Sequence, residues 1–199
     1  MTDTMAPAFS LCVYCGSRPG ADPRFVQAAQ QVGEWIGQHG GQLVYGGGNT
    51  GLMGVVARST LDAGGRVVGI MPQGLVKREL SNQACSELHV VDTMHQRKAM
   101  MAERADAFLA LPGGIGTFEE LFEVWTWQQL GYHDKPIGLL NAGGYYDGLL
   151  SFLATTVAEQ LVSEWQMGLL TVDTEPYRLL PRLVQAAGFG ELTGLQENL

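Results

Sequence analysis

The sequence predicts an α/β fold in which a parallel β-sheet carries helices on both faces. Two features predict it: short apolar runs alternate with longer segments of helical periodicity, and glycine-rich or polar residues directly follow several of these runs. Such alternation builds a parallel sheet that is buried on both faces, and ligands bind beyond the carboxyl ends of its strands. We therefore expect one Rossmann-like, doubly wound domain over residues 1–199, with its core at 9–187.

Six short apolar runs predict strands, and a shorter run near Leu169–Val172 predicts a seventh. The six are Phe9–Tyr14, Gln42–Tyr45, Arg66–Ile70, Glu87–Val91, Ala107–Leu111 and Pro136–Leu140. The longer segments predict helices at Pro23–Gln38, Leu52–Ala63, Met94–Arg104, Thr117–Leu130, Tyr145–Glu159 and Glu175–Ala187. In the fourth helix, the i, i+3, i+4, i+7 spacing of four apolar residues predicts a core-facing stripe. These residues are Phe118, Leu121, Phe122 and Trp125.

The composition excludes several classes of protein. The chain has 199 residues, of which 46% are hydrophobic, and this is enough to bury a core without disulfides or metals. The net charge of −8 and the pI near 4.9 argue against binding of nucleic acid through bulk charge. We therefore expect no nucleic-acid partner, and any bound anion must be held by local groups.

The chain also lacks signals for a membrane or an oxidising compartment. Its apolar runs, such as Ala107–Leu111, fall far short of the roughly 18 residues that span a bilayer, and no basic residue precedes Arg18. The odd number of cysteines is typical of a reducing compartment, so we expect a cytoplasmic protein without a membrane partner. Cys12 and Cys15 form a C-x-x-C sequence, but on a strand they point to opposite faces. No metal or cofactor site is expected.

A first glycine-rich run, Gly46–Gly51, satisfies G-x-G-x-x-G between a predicted strand and a predicted helix. A dinucleotide-binding site also needs an acid after the next strand, but that strand ends Gly69-Ile70-Met71-Pro72. Nicotinamide dinucleotide binding is therefore disfavoured. A phosphate site, a close approach of two backbones and a tight turn all remain open for Gly46–Gly51.

A second run, Pro112–Glu120, joins a predicted buried strand to an amphipathic helix. Its glycines leave backbone N–H groups accessible to a phosphate, and the helix N-terminus adds partial positive charge. However, Thr117 and Glu120 also have the spacing of a capping box, in which each side chain bonds the other residue's backbone N–H. A capping role and a chemical role for Glu120 are both open from spacing alone.

Two adjacent cations, Arg97 and Lys98, lie near the start of a predicted helix with Asp92 or Thr93 as its N-cap. Cations there oppose the helix dipole, and such local conflicts are typical of functional sites, although a solvated basic face is the alternative. His95 has no acid partner in the sequence, so we interpret it as structural.

Together these segments resemble a known family. Pro112–Glu120 matches P-G-G-x-G-T-x-x-E, and with Met94–Ala99, Tyr45–Gly51 and Trp127–Leu140 it resembles the Lonely Guy family of cytokinin-activating phosphoribohydrolases. Such proteins are often labelled lysine decarboxylases. That chemistry is not expected here, because none of the three lysines lies in a recognisable pyridoxal phosphate context.

The resemblance implies hydrolysis of the N-glycosidic bond of an N6-modified adenosine 5'-monophosphate, giving free base and ribose 5-phosphate. It implies Arg97 and Glu120 as the catalytic pair. The residues expected around the substrate are Ser17, Gly47, Glu79, Lys98, Gly113, Gly114, Ile115, Gly116, Thr117 and Thr126. The physical logic agrees, because a carboxylate can stabilise an oxocarbenium-like ribosyl centre or activate water.

A non-catalytic carrier of a nucleotide or of the molybdenum cofactor is the alternative function, since such carriers share the fold and the glycine loops. Arg97 and Glu120 distinguish the two, because a carrier has no need of both. The family resemblance and the aromatic-rich segment Phe118–Tyr132 predict a homodimer. Which N6 substituent is preferred is not determined by the sequence.

Overall fold

The computed structural model describes residues 6–76 and 85–190, and this part of the chain contains a seven-stranded parallel sheet. The strands are β1 (Ser10–Tyr14), β2 (Gln42–Tyr45), β3 (Arg66–Pro72), β4 (Glu87–Val91), β5 (Ala107–Ala110), β6 (Ile137–Leu140) and β7 (Leu170–Asp173). Their order is β4-β3-β2-β1-β5-β6-β7. The chain therefore reverses direction across the sheet between β1 and β5, which is where doubly wound folds bind ligands. The predicted fold class is confirmed.

Eight helices cover the two faces of the sheet in the described residues. They are α1 (Pro23–Gln38), α2 (Gly51–Asp62), α3 (Gln73–Val76), α4 (Met94–Glu103), α5 (Ile115–Gln129), α6 (Asp147–Ala158), α7 (Glu164–Gly168) and α8 (Pro176–Ala186). One core cluster packs residues of α1, α2 and α8 against the sheet, and the other packs residues of α4, α5 and α6 against the opposite face. None of these helices is long and apolar enough to cross a membrane.

Most predicted elements appear within two residues of their predicted bounds. Three short pieces were not predicted, namely α3, α7 and a 3-10 turn at Ala142–Gly144, because they are too short to show helical periodicity. That turn, with positive φ at Gly143 and Gly144, also delays α6 to Asp147. The prediction for Phe122 is wrong: it is 37% exposed, although its ring stacks on Trp125.

The strands alternate their side chains between the two core clusters. Cys12 belongs to the cluster under α5, whereas Cys15 belongs to the cluster under α1, so the two thiols lie on opposite faces of the sheet. Burial raises the pKa of both thiols well above the usual value. These positions confirm that the C-x-x-C pair is part of the core. The assignment of residues 1–199 to one domain stays a prediction.

Candidate active site

The loops that follow β1 and β5 meet at the point where the sheet order reverses. The backbone N–H of Gly16 donates to the carbonyl of Pro112 over 3.1 Å. A Cβ on Gly16 would lie 3.0 Å from the Arg18 carbonyl oxygen and 3.4 Å from the Gly113 Cα. The two loops are therefore in direct backbone contact, and Gly16 permits it.

Arg97 of α4 and Glu120 of α5 form an ion pair close to the carboxyl end of β3. Arg97 Nη1 donates to Glu120 Oε1 over 2.9 Å, and Arg97 Nε donates to the carbonyl of Ile70, at the end of β3, over 3.1 Å. The two side chains are only 12% and 11% exposed. Residues 23 positions apart are thus joined in a largely desolvated site, and the guanidinium is held from two directions.

The start of α4 fixes where Arg97 emerges. Thr93 is the N-cap, and its hydroxyl accepts from the N–H of Gln96 while the Gln96 side chain accepts from the N–H of Thr93. This capping box determines the first turn of α4. Of the two predicted N-caps, Thr93 is the one observed.

Gly46 provides the space that the Arg97 guanidinium occupies. A Cβ added to Gly46 would lie 2.0 Å from Arg97 Nη2, and no atom other than those of Arg97 and Met53 is among its three nearest neighbours. The contact between Gly46 and Arg97 could not be predicted from the sequence, because it depends on how α4 crosses the loop after β2.

The environment of Glu120 favours its protonated form more than water does. Burial raises the pKa of this carboxyl and the neighbouring Glu119 charge adds to the rise, whereas the Arg97 guanidinium and the Lys98 ammonium oppose it. The net result is a pKa above the usual value. A carboxylate of this kind accepts a proton more readily than one in water, which suits a general base.

Of the two roles left open for Glu120, the capping box with Thr117 is not the one observed. Helix α5 begins at Ile115 with Gly114 as an extended N-cap, so Thr117 is already helical and cannot act as a cap. Its hydroxyl instead lies over Gly113, where an added Cβ would be 2.1 Å from Thr117 Oγ1. Glu120 bonds Arg97 and is available for chemistry rather than for capping.

The first turn of α5 is open to a ligand. Gly114 provides no side-chain cap, so the N-terminal N–H groups of α5 have no capping side chain. Among residues 6–76 and 85–190, no heavy atom of another element lies within 4 Å of a Cβ built on Gly114 or Gly116, and Ile115 between them is 82% exposed. A 15-residue helix with an open, glycine-lined start can accept an anion.

The loop Gly46–Gly51 is filled by protein instead. Gly47 has a φ of +80°, and a Cβ there would contact Met71 and Leu88 at 3.4 Å. Gly51 has a φ of +58°, and a Cβ there would lie 2.3 to 2.5 Å from backbone atoms of Ser17 and Arg18. This geometry favours the interpretation of the loop as a tight turn with close backbone approach. Substrate binding by Gly47 stays a prediction.

Lys98 lies next to the pair but has partners of its own. Its ammonium donates to Glu119 at 2.5 Å and to Glu123 at 2.8 Å, and its side chain is 11% exposed. Burial lowers the pKa of Lys98, but these two hydrogen bonds outweigh it and the net shift is upward. Glu119 and Glu123 are four residues apart, so they lie on the same side of α5. This spacing was the signal in the sequence for their shared contact with Lys98.

The remaining predicted substrate residues fall in three places. Ser17 is exposed in the loop after β1, and its backbone packs against Gly51. Thr126 is exposed on α5, three residues after Glu123 on the same helical side, and substrate binding by Thr126 stays a prediction. Glu79 lies outside the described residues. Within residues 6–76 and 85–190, no group of three or more histidines, cysteines or acids could hold a metal ion.

Comparison with known proteins identifies the family. A family model described as "Possible lysine decarboxylase" matches residues 53–183. The chain is 53% identical over 153 residues to the probable cytokinin riboside 5'-monophosphate phosphoribohydrolase LOGL5 of Oryza sativa subsp. japonica, a match that covers 77% of this chain and 62% of that protein. The chain belongs to the LOG family. It is also 48% identical over 163 residues to the cytokinin riboside 5'-monophosphate phosphoribohydrolase LOG2 of Arabidopsis thaliana, covering 82% and 76% of the two chains.

Solved structures support the fold. The molybdenum cofactor binding protein of Rippkaea orientalis matches with a TM-score of 0.68 and 22% identity, over 92% of this chain and 98% of that one. The molybdenum cofactor carrier protein of Chlamydomonas reinhardtii matches with a TM-score of 0.66 and 18% identity, over 89% and 96%. At these identities the likeness concerns the fold alone.

The lysines of this LOG-family chain do not favour a decarboxylase. A pyridoxal phosphate enzyme needs an amine that forms a Schiff base with the cofactor. Lys98 is held by Glu119 and Glu123, and the Lys135 ammonium donates to the carbonyl of Ala102 over 2.7 Å. Lys77 lies outside the described residues. The two described lysines therefore serve as contacts to other elements of the fold.

Proposed function

We propose that this LOG-family protein hydrolyses the N-glycosidic bond of adenosine 5'-monophosphate or of its N6-modified forms, and releases the free base and ribose 5-phosphate. The observation that carries this proposal is the desolvated Arg97–Glu120 pair, whose carboxylate belongs to α5, the helix that begins at the open glycine start. The names of the rice and Arabidopsis relatives support the substrate class.

Glu120 acts on water or on the ribosyl centre. The bond from C1' to the base nitrogen breaks, its electron pair leaves with the base, and an oxocarbenium-like centre develops at C1'. The carboxylate stabilises this charge and accepts a proton from the attacking water as the new C1'–O bond forms; the leaving base nitrogen takes up a proton. The raised pKa of Glu120 suits proton acceptance.

Arg97 keeps Glu120 ionised and oriented. Its Nη1 hydrogen bond lowers the pKa of the carboxyl against the effect of burial, and the Ile70 carbonyl fixes the direction of the guanidinium. Arg97 is thus a catalytic residue through its contact with the reacting carboxylate, and its charge also favours anionic substrate oxygens.

The start of α5 is proposed to hold the 5'-phosphate. Backbone N–H groups at Gly114, Ile115 and Gly116 provide the donors, Gly113 and Thr117 form the floor, and Ser17 lies in the adjoining loop. The Lys98 ammonium contributes positive charge near this helix start, although it is itself bonded to Glu119 and Glu123. A local cradle of this kind explains how a protein of net charge −8 would hold an anionic substrate.

Release of base from wild-type protein is the decisive test. AMP and N6-isopentenyl-AMP are each compared with their nucleosides, and we expect kcat/KM to favour the nucleotides because the cradle serves only an anion. Glu120→Gln keeps shape and hydrogen bonding, so turnover should fall roughly 10²-fold while AMP binding by calorimetry persists. Full activity of Glu120→Gln with an unchanged thermal melt would contradict the catalytic assignment. Tight AMP binding without base release by wild-type protein would favour a carrier.

We also propose a homodimer in the cytoplasm. Helix α5 and its C-terminal loop present four apolar side chains to solvent, which supports an interface here; Ile115 is 82%, Phe122 37%, Leu130 61% and Tyr132 76% exposed. Light scattering at micromolar concentration tests it, since the monomer mass is 21.5 kDa. The odd number of cysteines supports the compartment.

A further inference from the structure

The loop after β5 is held by three consecutive carbonyl contacts. The Tyr146 hydroxyl donates to the Leu111 carbonyl over 2.6 Å, and the Tyr145 hydroxyl donates to the Gly113 carbonyl over 2.5 Å. Between them the Pro112 carbonyl accepts from the Gly16 N–H over 3.1 Å. Each carbonyl that leads into the start of α5 therefore has a partner in the protein.

The two tyrosines are themselves fixed at the turn before α6. Tyr146 is 1% exposed, and its N–H donates to Asn141 Oδ1 over 2.7 Å. The Tyr145 ring packs edge-on against Phe25 and Tyr146, with centroids 5.2 and 4.8 Å apart, and Tyr145 is 40% exposed. Tyr146 is thus a buried anchor, whereas Tyr145 brings its hydroxyl to the rim of the site.

The contact to Gly113 determines the direction of the next N–H group. The carbonyl of Gly113 and the N–H of Gly114 belong to one planar trans peptide, so they point in opposite directions. Because Tyr145 holds the carbonyl on its own side, the Gly114 N–H points away from Tyr145, and the described part of the chain places no heavy atom of another element within 4 Å of the Gly114 Cβ position.

This peptide needs such a restraint because it joins two glycines. Without side chains on either residue, rotation of the peptide plane meets little steric resistance. A rotated plane would present an oxygen where an anion requires a donor. A single hydroxyl therefore decides which face of the Gly113–Gly114 peptide the ligand meets.

We propose that Tyr145 is a positioning residue that orients the Gly114 N–H toward the substrate 5'-phosphate. This inference rests on the proposed function of the site. It predicts that loss of the hydroxyl lowers the fraction of protein with a competent cradle, which weakens binding of the phosphate without changing the step at C1'.

The test replaces Tyr145 by Phe and measures AMP hydrolysis together with inhibition by the two products. We expect the KM for AMP and the Ki for ribose 5-phosphate to rise about fivefold, as for the loss of one neutral hydrogen bond, with kcat, the Ki for adenine and the thermal melt unchanged. Tyr177→Phe is the matched control, because Tyr177 on α8 is 47% exposed and has no role in the proposed site, and it should change none of these values.

Two results would overturn the proposal: an unchanged KM for AMP in Tyr145→Phe, or equal rises in the Ki of ribose 5-phosphate and of adenine. If wild-type protein releases no base, the proposed reaction fails on its own. Calorimetric binding of AMP then decides the role of Tyr145, since weaker binding by Tyr145→Phe supports it and equal binding contradicts it.

Discussion

A methyl group added to Gly46, Gly47 or Gly51 in the loop after β2 would meet protein atoms, whereas one added to Gly114 or Gly116 in the loop after β5 would meet no atom of another element within 4 Å among residues 6–76 and 85–190. In the first loop, Gly46 faces Arg97 and Gly51 faces the backbone of Ser17 and Arg18. In the second, the described part of the chain leaves the space beside the helix start open.

This difference teaches that a glycine-rich loop indicates the close approach of some group to the backbone. The loop sequence does not identify whether that group is protein or ligand. The G-x-G-x-x-G spacing of Gly46–Gly51 serves the packing of neighbouring loops and the placement of Arg97, although this is the spacing of a nucleotide fingerprint. The loop Gly113–Gly116 keeps glycines at two positions that neither packing nor a positive φ explains. We infer that these two are retained for a ligand.

The largest effect is expected from Gly51→Ala, which tests whether the first loop is filled by protein. Alanine there must adopt a φ of +58° and also displace the Ser17–Arg18 backbone. The strain and the overpacking together should lower the free energy of unfolding by roughly 2–5 kcal/mol, measured by urea denaturation.

Gly64→Ala is the matched control, because Gly64 has a φ of +85° and no heavy atom of the described residues outside its chain neighbours lies within 4 Å of its Cβ position. It carries the left-handed strain alone and should cost about 1–2 kcal/mol. Equal costs for the two variants would show that the first loop can relax away from Ser17.

Gly46→Ala should reduce turnover with little effect on stability. The backbone of Gly46 does not have a positive φ, so alanine is tolerated there, but its methyl group occupies the place of Arg97 Nη2. Displacement of the guanidinium from Glu120 should lower kcat roughly 10²-fold, as a misplacement of about 1 Å does in other enzymes. Wild-type kcat in this variant would show that Arg97 does not need its observed position.

Gly114→Ala should weaken nucleotide binding and leave the fold intact. Its φ of −99° is accessible to alanine, so the expected change is about a tenfold rise in the KM for AMP, caused by a methyl group at the phosphate site. Gly148→Ala on α6 is the control, since its Cβ position too is free of atoms from other elements within 4 Å in the described ranges, and it should leave KM unchanged. Unchanged AMP kinetics in Gly114→Ala would place the phosphate elsewhere.

Periodicity and glycine placement predicted the strands, the longer helices and the edge of the sheet at which the site lies. They could not predict the start of α5, because Gly114 allows the helix to begin before the residue that looks like its cap. The Arg97–Glu120 contact was expected from family resemblance and not from spacing, since it requires α4 and α5 to meet in space. The role of Gly46, which makes space for the Arg97 guanidinium, depends on the same approach of α4 to α5.

The smallest expected effect is a pH dependence of Glu120 with opposite signs for stability and activity. Because the pKa of Glu120 is raised in the folded state, the folded protein holds more protons than the unfolded chain at pH values between the ordinary carboxyl pKa and the raised one. The free energy of unfolding of wild-type protein minus that of Glu120→Gln should therefore fall as pH rises through this window. Subtraction removes the contributions of acids common to both proteins, such as Glu87 and Asp173, whose pKa values are lowered by their arginine partners.

Activity should rise over the same window, because the carboxylate is the active form. This pH dependence distinguishes the two loops. Gly46→Ala displaces from Glu120 the Arg97 charge that lowers the pKa of this carboxyl, so the acidic limb of kcat/KM should move to higher pH. Gly114→Ala leaves the pair in place, so its limb should coincide with that of wild-type protein. A limb that stays in place in Gly46→Ala, or that moves in Gly114→Ala, would mean that the titrating group is not the carboxylate held by Arg97.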